Sequence, residues 1–147
     1  MEDQILAYIK WAPDPTKFVA ISGEYPNLKI DLLVEAATSP DRILWTYDFA
    51  KHTFLMNVGG RIWSPTAGGH LPGYLLDLEV FGTSSLPVQK WTPFSVFRPK
   101  IVTSPDLNWG WDVHDFGGST GIKIFLNQTL SSASQDWIFD IVGDTGA

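Results

Sequence analysis

Three tryptophans, Trp45, Trp91 and Trp137, stand 46 residues apart and then 46 again. Each opens a similar run: Trp45-Thr46-Tyr47-Asp48-Phe49, Trp91-Thr92-Pro93-Phe94-Ser95 and Trp137-Ile138-Phe139-Asp140-Ile141. Gln89 and Gln135 precede the second and third by two positions, where the first copy has Ile43. The same offset aligns Lys29-Ile30-Asp31-Leu32-Leu33-Val34 with Leu75-Leu76-Asp77-Leu78-Glu79-Val80 and with Gly121-Ile122-Lys123-Ile124-Phe125-Leu126. Positions 30, 76 and 122 are all aliphatic, as are 32, 78 and 124, and Trp63 and Trp109 form a further pair. A whole register of apolar positions recurring at one period is the signature of a threefold internal repeat.

Within each unit the apolar runs are about five to eight residues long and are broken by turn clusters. Asp14-Pro15, Gly23-Glu24-Tyr25-Pro26-Asn27, Gly68-Gly69 and Gly117-Gly118-Ser119-Thr120-Gly121 supply that punctuation. Ile122-Lys123-Ile124 alternates with the period of a half-buried strand. Ile30 to Ala37 has helix propensity when read alone. Its repeat-mates are rich in Gly, β-branched or aromatic residues, so strand is expected there. About four strands per unit, about twelve in all, must hide their edges, and closing into a barrel does so. The expected fold is an all-β, single-domain β-trefoil over residues 1–147, with units at 1–50, 51–97 and 98–147. Six strands would form the barrel and three hairpins would cap it, with one repeating Trp per unit in the core.

Composition narrows the function. Zero Cys removes disulfides, thiolate zinc sites and a Cys nucleophile. A net charge of −6, with ten Lys and Arg scattered singly, argues against a nucleic-acid partner. Met1-Glu2-Asp3-Gln4 places acids where a secretory signal would be positive, so a cytoplasmic location is expected. The longest uncharged apolar stretch, Ile62 to Leu76, holds Pro65, Pro72, three Gly and His70, so no membrane insertion is expected. Asn127-Gln128-Thr129 fits the glycosylation acceptor pattern, a chance match in a chain with no signal.

Gln-x-Trp at the end of such units resembles the ricin B-chain-like β-trefoil lectins. The third unit carries the likeness best: Trp111-Asp112-Val113-His114, a Gly-rich turn, Ile122 to Asn127, then Ser134-Gln135-Asp136-Trp137. The resemblance implies a carbohydrate-binding, non-enzymatic protein that recognises terminal galactose or N-acetylgalactosamine. It assigns Asp112 as the carboxylate, Phe125 as the stacking platform and Gln135 as the anchoring amide, with Asn127 or His114 on the rim. A carboxylate can accept two neighbouring hydroxyl protons in charge-assisted hydrogen bonds. An aromatic ring covers the C–H face of a sugar, and an amide offers both donor and acceptor.

The chain departs from the family pattern in places. Ser134 stands where galactose-binding members often carry Asn. Ser64 falls near the Asp position of the second unit, with Asp77 or Glu79 as substitutes. The first unit has Val19-Ala20-Ile21 there, without a carboxylate, and is expected to be dead. A shallow sugar site is weak alone, so several sites or a homodimer would supply avidity. Family members of this kind, without Cys or a signal, act in defence.

Chemistry for catalysis is not marked. His52, His70 and His114 have no metal-ligand spacing, and no nucleophile elbow, phosphate loop or dinucleotide fingerprint occurs. No cofactor is expected, and nothing marks a glycosidase carboxylate pair. The competing expectation is a β-trefoil protease inhibitor acting through an exposed loop. Its candidate loops are Trp11 to Lys17, Ser64 to Gly73 and Thr83 to Pro87.

Overall fold

The computed structural model describes residues 4–24, 27–34, 39–66, 75–80, 91–95, 99–103, 109–119, 121–128 and 133–144. Among these the chain forms strands joined by turns and two single-turn 3-10 helices, at Pro40–Arg42 and Ala133–Gln135. The strands are β1 (Gln4–Trp11), β2 (Asp14–Ser22), β3 (Lys29–Val34), β4 (Leu44–Asp48), β5 (Thr53–Val58) and β6 (Arg61–Thr66). They continue with β7 (Asp77–Val80), β8 (Trp91–Ser95), β9 (Pro99–Thr103), β10 (Trp109–Asp115), β11 (Ile122–Gln128) and β12 (Trp137–Asp144). Ile30–Val34 is strand despite its helix propensity, because pairing with β2 from Lys17↔Val34 to Ser22↔Lys29 overrides a local preference. Glu35 to Ala37 lie outside the described residues.

Strand β1 organises the barrel. It pairs antiparallel with β4, with β12 and, at its end, with β2. β4 continues to β5, and the Trp91 amide at the head of β8 donates to the His52 carbonyl beside β5 at 2.6 Å. β8 pairs with β9, and β9 packs against β12. The remaining strands form the hairpins β2–β3, β6–β7 and β10–β11. β3 packs against both β7 and β11. Leu75 bridges Phe125, and the Leu76 amide donates to the Ile124 carbonyl at 2.9 Å. Lys123 of β11 and Asp31 of β3 form an ion pair at 2.6 Å across this meeting point. The hairpins therefore converge on one end of the barrel.

The repeating indoles lie in the core, and their surroundings match. Trp45 Nε1 donates to the Val19 carbonyl (2.9 Å), Trp91 Nε1 to Pro65 (3.0 Å) and Trp137 Nε1 to Trp111 (3.1 Å). Each bond reaches back 26 residues, from a barrel strand to the first strand of a hairpin. All three side chains are at most 1% exposed. A buried indole N–H needs an acceptor, and the hairpin backbone provides one each time. Around them pack Ile9, Ile21, Phe54, Ile101, Trp111 and Leu126, and Trp111 meets Trp91 and Trp137 edge-on.

Candidate functional site

The β10–β11 hairpin brings together the residues that the sequence singles out. Its register pairs Gly110 with Asn127, Asp112 with Phe125 and His114 with Lys123. Side chains alternate across a strand, so Asp112, His114, Phe125 and Asn127 share one face. The opposite face carries Trp111, Ile124 and Leu126 into the core. The core contacts thus fix which way the polar face points. Gly117, Gly118 and Gly121 turn the chain at positive φ (71°, 56° and 68°), a conformation that L side chains resist. The Phe116 amide closes that turn by donating to the Gly121 carbonyl at 2.9 Å.

Asp112 is held on three sides. Its Oδ1 accepts from the Val113 amide at 2.8 Å, and its Oδ2 accepts from Asn127 Nδ2 at 2.9 Å. Gln135 Nε2 lies 3.4 Å from the same Oδ2 and donates more closely, at 2.7 Å, to the Gln128 carbonyl. Gln135 is buried, and its position comes from the 3-10 turn just before β12. The amide therefore braces the end of β11 while touching the carboxylate. Asp112 is only 5% exposed, so its neighbours orient it and leave a small window. A carboxylate has about four lone-pair sites, and these partners occupy three.

Beside the carboxylate stands an aromatic group that sequence reading captured in part. Phe125 and His114 were expected. Phe116, 44% exposed, joins them at 5.7 Å from Phe125 and 4.8 Å from His114, edge-on to both. Phe116 follows the strand as the turn begins, where no motif position marks it. Alternation along 112, 114 and 116 is the signal that could have found it. Asn127 is not a free rim group, since its amide is bonded to Asp112.

The 46-residue offset shows what stands at this position elsewhere. The indole bonds set Val19, Pro65 and Trp111 in correspondence, so Asp112 answers to Ala20 and Thr66. Ser64 is therefore two residues short of the Asp position. It is fully buried, and its Oγ has no hydrogen-bond partner among the described residues. In the first unit Ala20, Leu33 and Ile43 answer to Asp112, Phe125 and Gln135. These three pack with Phe18 and Tyr8 in a small apolar cluster. Polar machinery in the third unit is hydrocarbon in the first. In the second unit Asp77 is described and is exposed, whereas the side chain of Glu79 and all of Gln89 lie outside the described residues.

Of the candidate inhibitory loops, Trp11 to Lys17 is a tight reversal. Trp11 pairs directly with Asp14. Trp11 Nε1 donates to the Ser134 carbonyl, and the Ala12 amide donates to the Asp136 carbonyl, each at 3.0 Å. Residues 67–73 and Thr83 to Pro87 lie outside the described residues.

No model of a known protein family matches the chain, and no curated protein matches it by sequence. Solved structures do match over nearly its whole length. The C-half of an earthworm R-type lectin in complex with GalNAc is similar at 18% identity and a TM-score of 0.63, over 94% of this chain and 99% of that one. The designed threefold-symmetric protein ThreeFoil is similar at 10% identity and a TM-score of 0.68, over 93% and 99%. A lectin of Polyporus squamosus, bound to a human-type influenza-binding epitope, is similar at 18% identity and a TM-score of 0.60, over 95% and 49%. The fold is a β-trefoil. It is the trefoil of the ricin B-type lectins, shared as a fold at low sequence identity.

Proposed function

We propose that this protein is a carbohydrate-binding lectin that recognises terminal galactose or N-acetylgalactosamine through the third of three 46-residue units. The observation that carries the reading is the Asp112 carboxylate, oriented by Asn127 and Gln135 beside Phe125 on one face of the β10–β11 hairpin. A fixed carboxylate accepts sugar hydroxyl protons without paying for its own ordering. The neighbouring rings offer apolar area to a C–H face. Asp112 accepts, Phe125 stacks, His114 borders the rings, and Asn127 and Gln135 hold the acceptor in place. The GalNAc-bound earthworm lectin, alike in fold, supports the sugar class.

Further parts of the reading rest on the same symmetry. Three equal units with four strands each account for the matched indole bonds, and the apolar first unit takes no part in sugar binding. Binding proceeds without catalysis or cofactor. Avidity for glycoconjugates in the cytoplasm, where a defence role lies, would come from a homodimer. The alternative is a protease inhibitor acting through an exposed loop; of its candidate loops, the turn at Ala12 and Pro13 is pinned to the barrel.

A glycan array with the wild type beside Asp112→Ala tests the function. Retention of wild type on galactose- or GalNAc-terminated glycans, lost in the variant with circular dichroism unchanged, is the expected result. Failure of the wild type to bind any glycan, with stoichiometric inhibition of a protease, would reverse it.

A further inference from the structure

The barrel end around β1, β4, β5 and β12 holds a pocket that shares no residue with the hairpin site. Its walls are Ile5, Ala7 and Ile9 of β1, Trp45 and Tyr47 of β4 with the following Phe49, Phe54 of β5, and Phe139 and Ile141 of β12. The volume is about 190 Å³. Among the described residues every lining side chain is apolar or aromatic. The one hydroxyl among them faces elsewhere, since Tyr47 Oη donates to the Trp91 carbonyl at 2.7 Å. The Trp45 N–H is likewise spent on Val19. Water in this space would find no polar side chain to bond among the described residues, and an apolar cavity of this kind takes up apolar molecules.

The walls specify more than apolarity. Five of the nine lining residues are aromatic. Tyr47 meets Phe49 edge-on at 5.0 Å and Phe54 at 4.7 Å, and Phe54 stacks near-parallel on Phe139 at 6.2 Å. Such a box presents both ring faces and ring edges, the two surfaces against which another ring packs well. Ala7, 3% exposed, is the small residue that leaves the space open. At the rim Phe49 and Ile141 are 49% and 58% exposed. An apolar cavity of about 150 Å³ lined by such side chains holds benzene, so a space of this size suits a small molecule.

We infer that this end of the barrel is a second ligand site, which takes a small, uncharged aromatic molecule of about one ring. The ligand needs no hydrogen-bonding group, and binding is driven by apolar burial and ring packing. A charged or polyhydroxylated compound is excluded, because nothing in the pocket would replace its water.

Toluene is the test probe, titrated into the full chain and followed by amide NMR and by thermal unfolding. Saturating toluene should shift the amides of Ile5, Ala7 and Ile141 and raise the melting temperature by roughly 3 °C or more, as expected of a ligand that binds the folded state alone. Ala7→Leu should fill the space and abolish both effects while retention on galactose resin stays unchanged. Should Ala7→Leu fail to fold, Phe49→Ala at the exposed rim should weaken toluene binding several-fold. Absence of shifts and of thermal stabilisation in the wild type would overturn the site. So would sedimentation showing a dimer that Ile141→Ser dissociates, because the pocket would then be closed by a second copy.

Discussion

Asn127 Nδ2 donates to Asp112 Oδ2 at 2.9 Å, from a strand position paired with Gly110 rather than with Asp112 itself. The bond runs diagonally across the β10–β11 ladder, and it aims the carboxylate. Asp112→Ala should lower galactose affinity by about 100-fold, because it removes the charged acceptor. Asn127→Ala should lower it by roughly 10-fold, because the acceptor remains but is no longer held. Isothermal titration with a galactoside measures both, and equal losses would contradict this division of roles.

Two tryptophans in contact should respond differently to the same trimming. Trp137 Nε1 donates to the Trp111 carbonyl, whereas Trp111 Nε1 is buried without a partner among the described residues. Replacing either by Phe removes the same volume, but only Trp137→Phe breaks a hydrogen bond and strands a carbonyl. Trp137→Phe should therefore cost about 1 kcal/mol more than Trp111→Phe, read from urea unfolding midpoints.

Acid should weaken the barrel through Asp48. Burial pushes this carboxyl upward, but hydrogen bonds from Gln4 and from the Lys51 and Ala50 amides, with the Lys51 charge, outweigh it. Its pKa is held below the ordinary 3.8. A depressed folded-state value means that protonation favours unfolding. The stability is complete above the ordinary carboxylate range and is lost as pH falls through the folded value. Asp48→Asn should lower the melting temperature at neutral pH and flatten its decline below about pH 4.

Gly23 ends β2 at φ +85°, and a Cβ there would lie 2.7 Å from the Asn27 carbonyl oxygen. Backbone, not a flexible side chain, is in the way. Gly23→Ala should destabilise by more than about 1 kcal/mol. Gly117→Ala, equally left-handed but with open space around it, should cost less.

Much of this architecture was legible in the spacing of Trp45, Trp91 and Trp137, because a buried indole in each unit must find the same kind of acceptor. The shared face of Asp112 and Phe125 was legible too, since strand alternation is a local property. The placement of Ser64 near the Asp position departs from that spacing. It misses by two residues, and a slip of two preserves the inward and outward pattern by which strands are aligned. The offset that pairs Trp63 with Trp109 pairs Asp112 with Thr66, and the Trp91 bond to Pro65 agrees with it. Phe116 continues the alternation of 112 and 114 but stands past the strand, where no motif position marks it. The bond between Asn127 and Asp112 was hidden for a different reason, because it depends on how a diagonal contact falls in space, which no periodicity encodes.

β1 is zipped to β12 from Ile5↔Asp144 to Trp11↔Trp137, so strands of the first and third units share an edge. β1 docks on β2 and β4 through contacts within its own unit, yet its other edge is covered only from the far unit. Closing the shell there carries a long loop closure, and a folding chain in which β12 has not docked carries a bare backbone edge open to other chains.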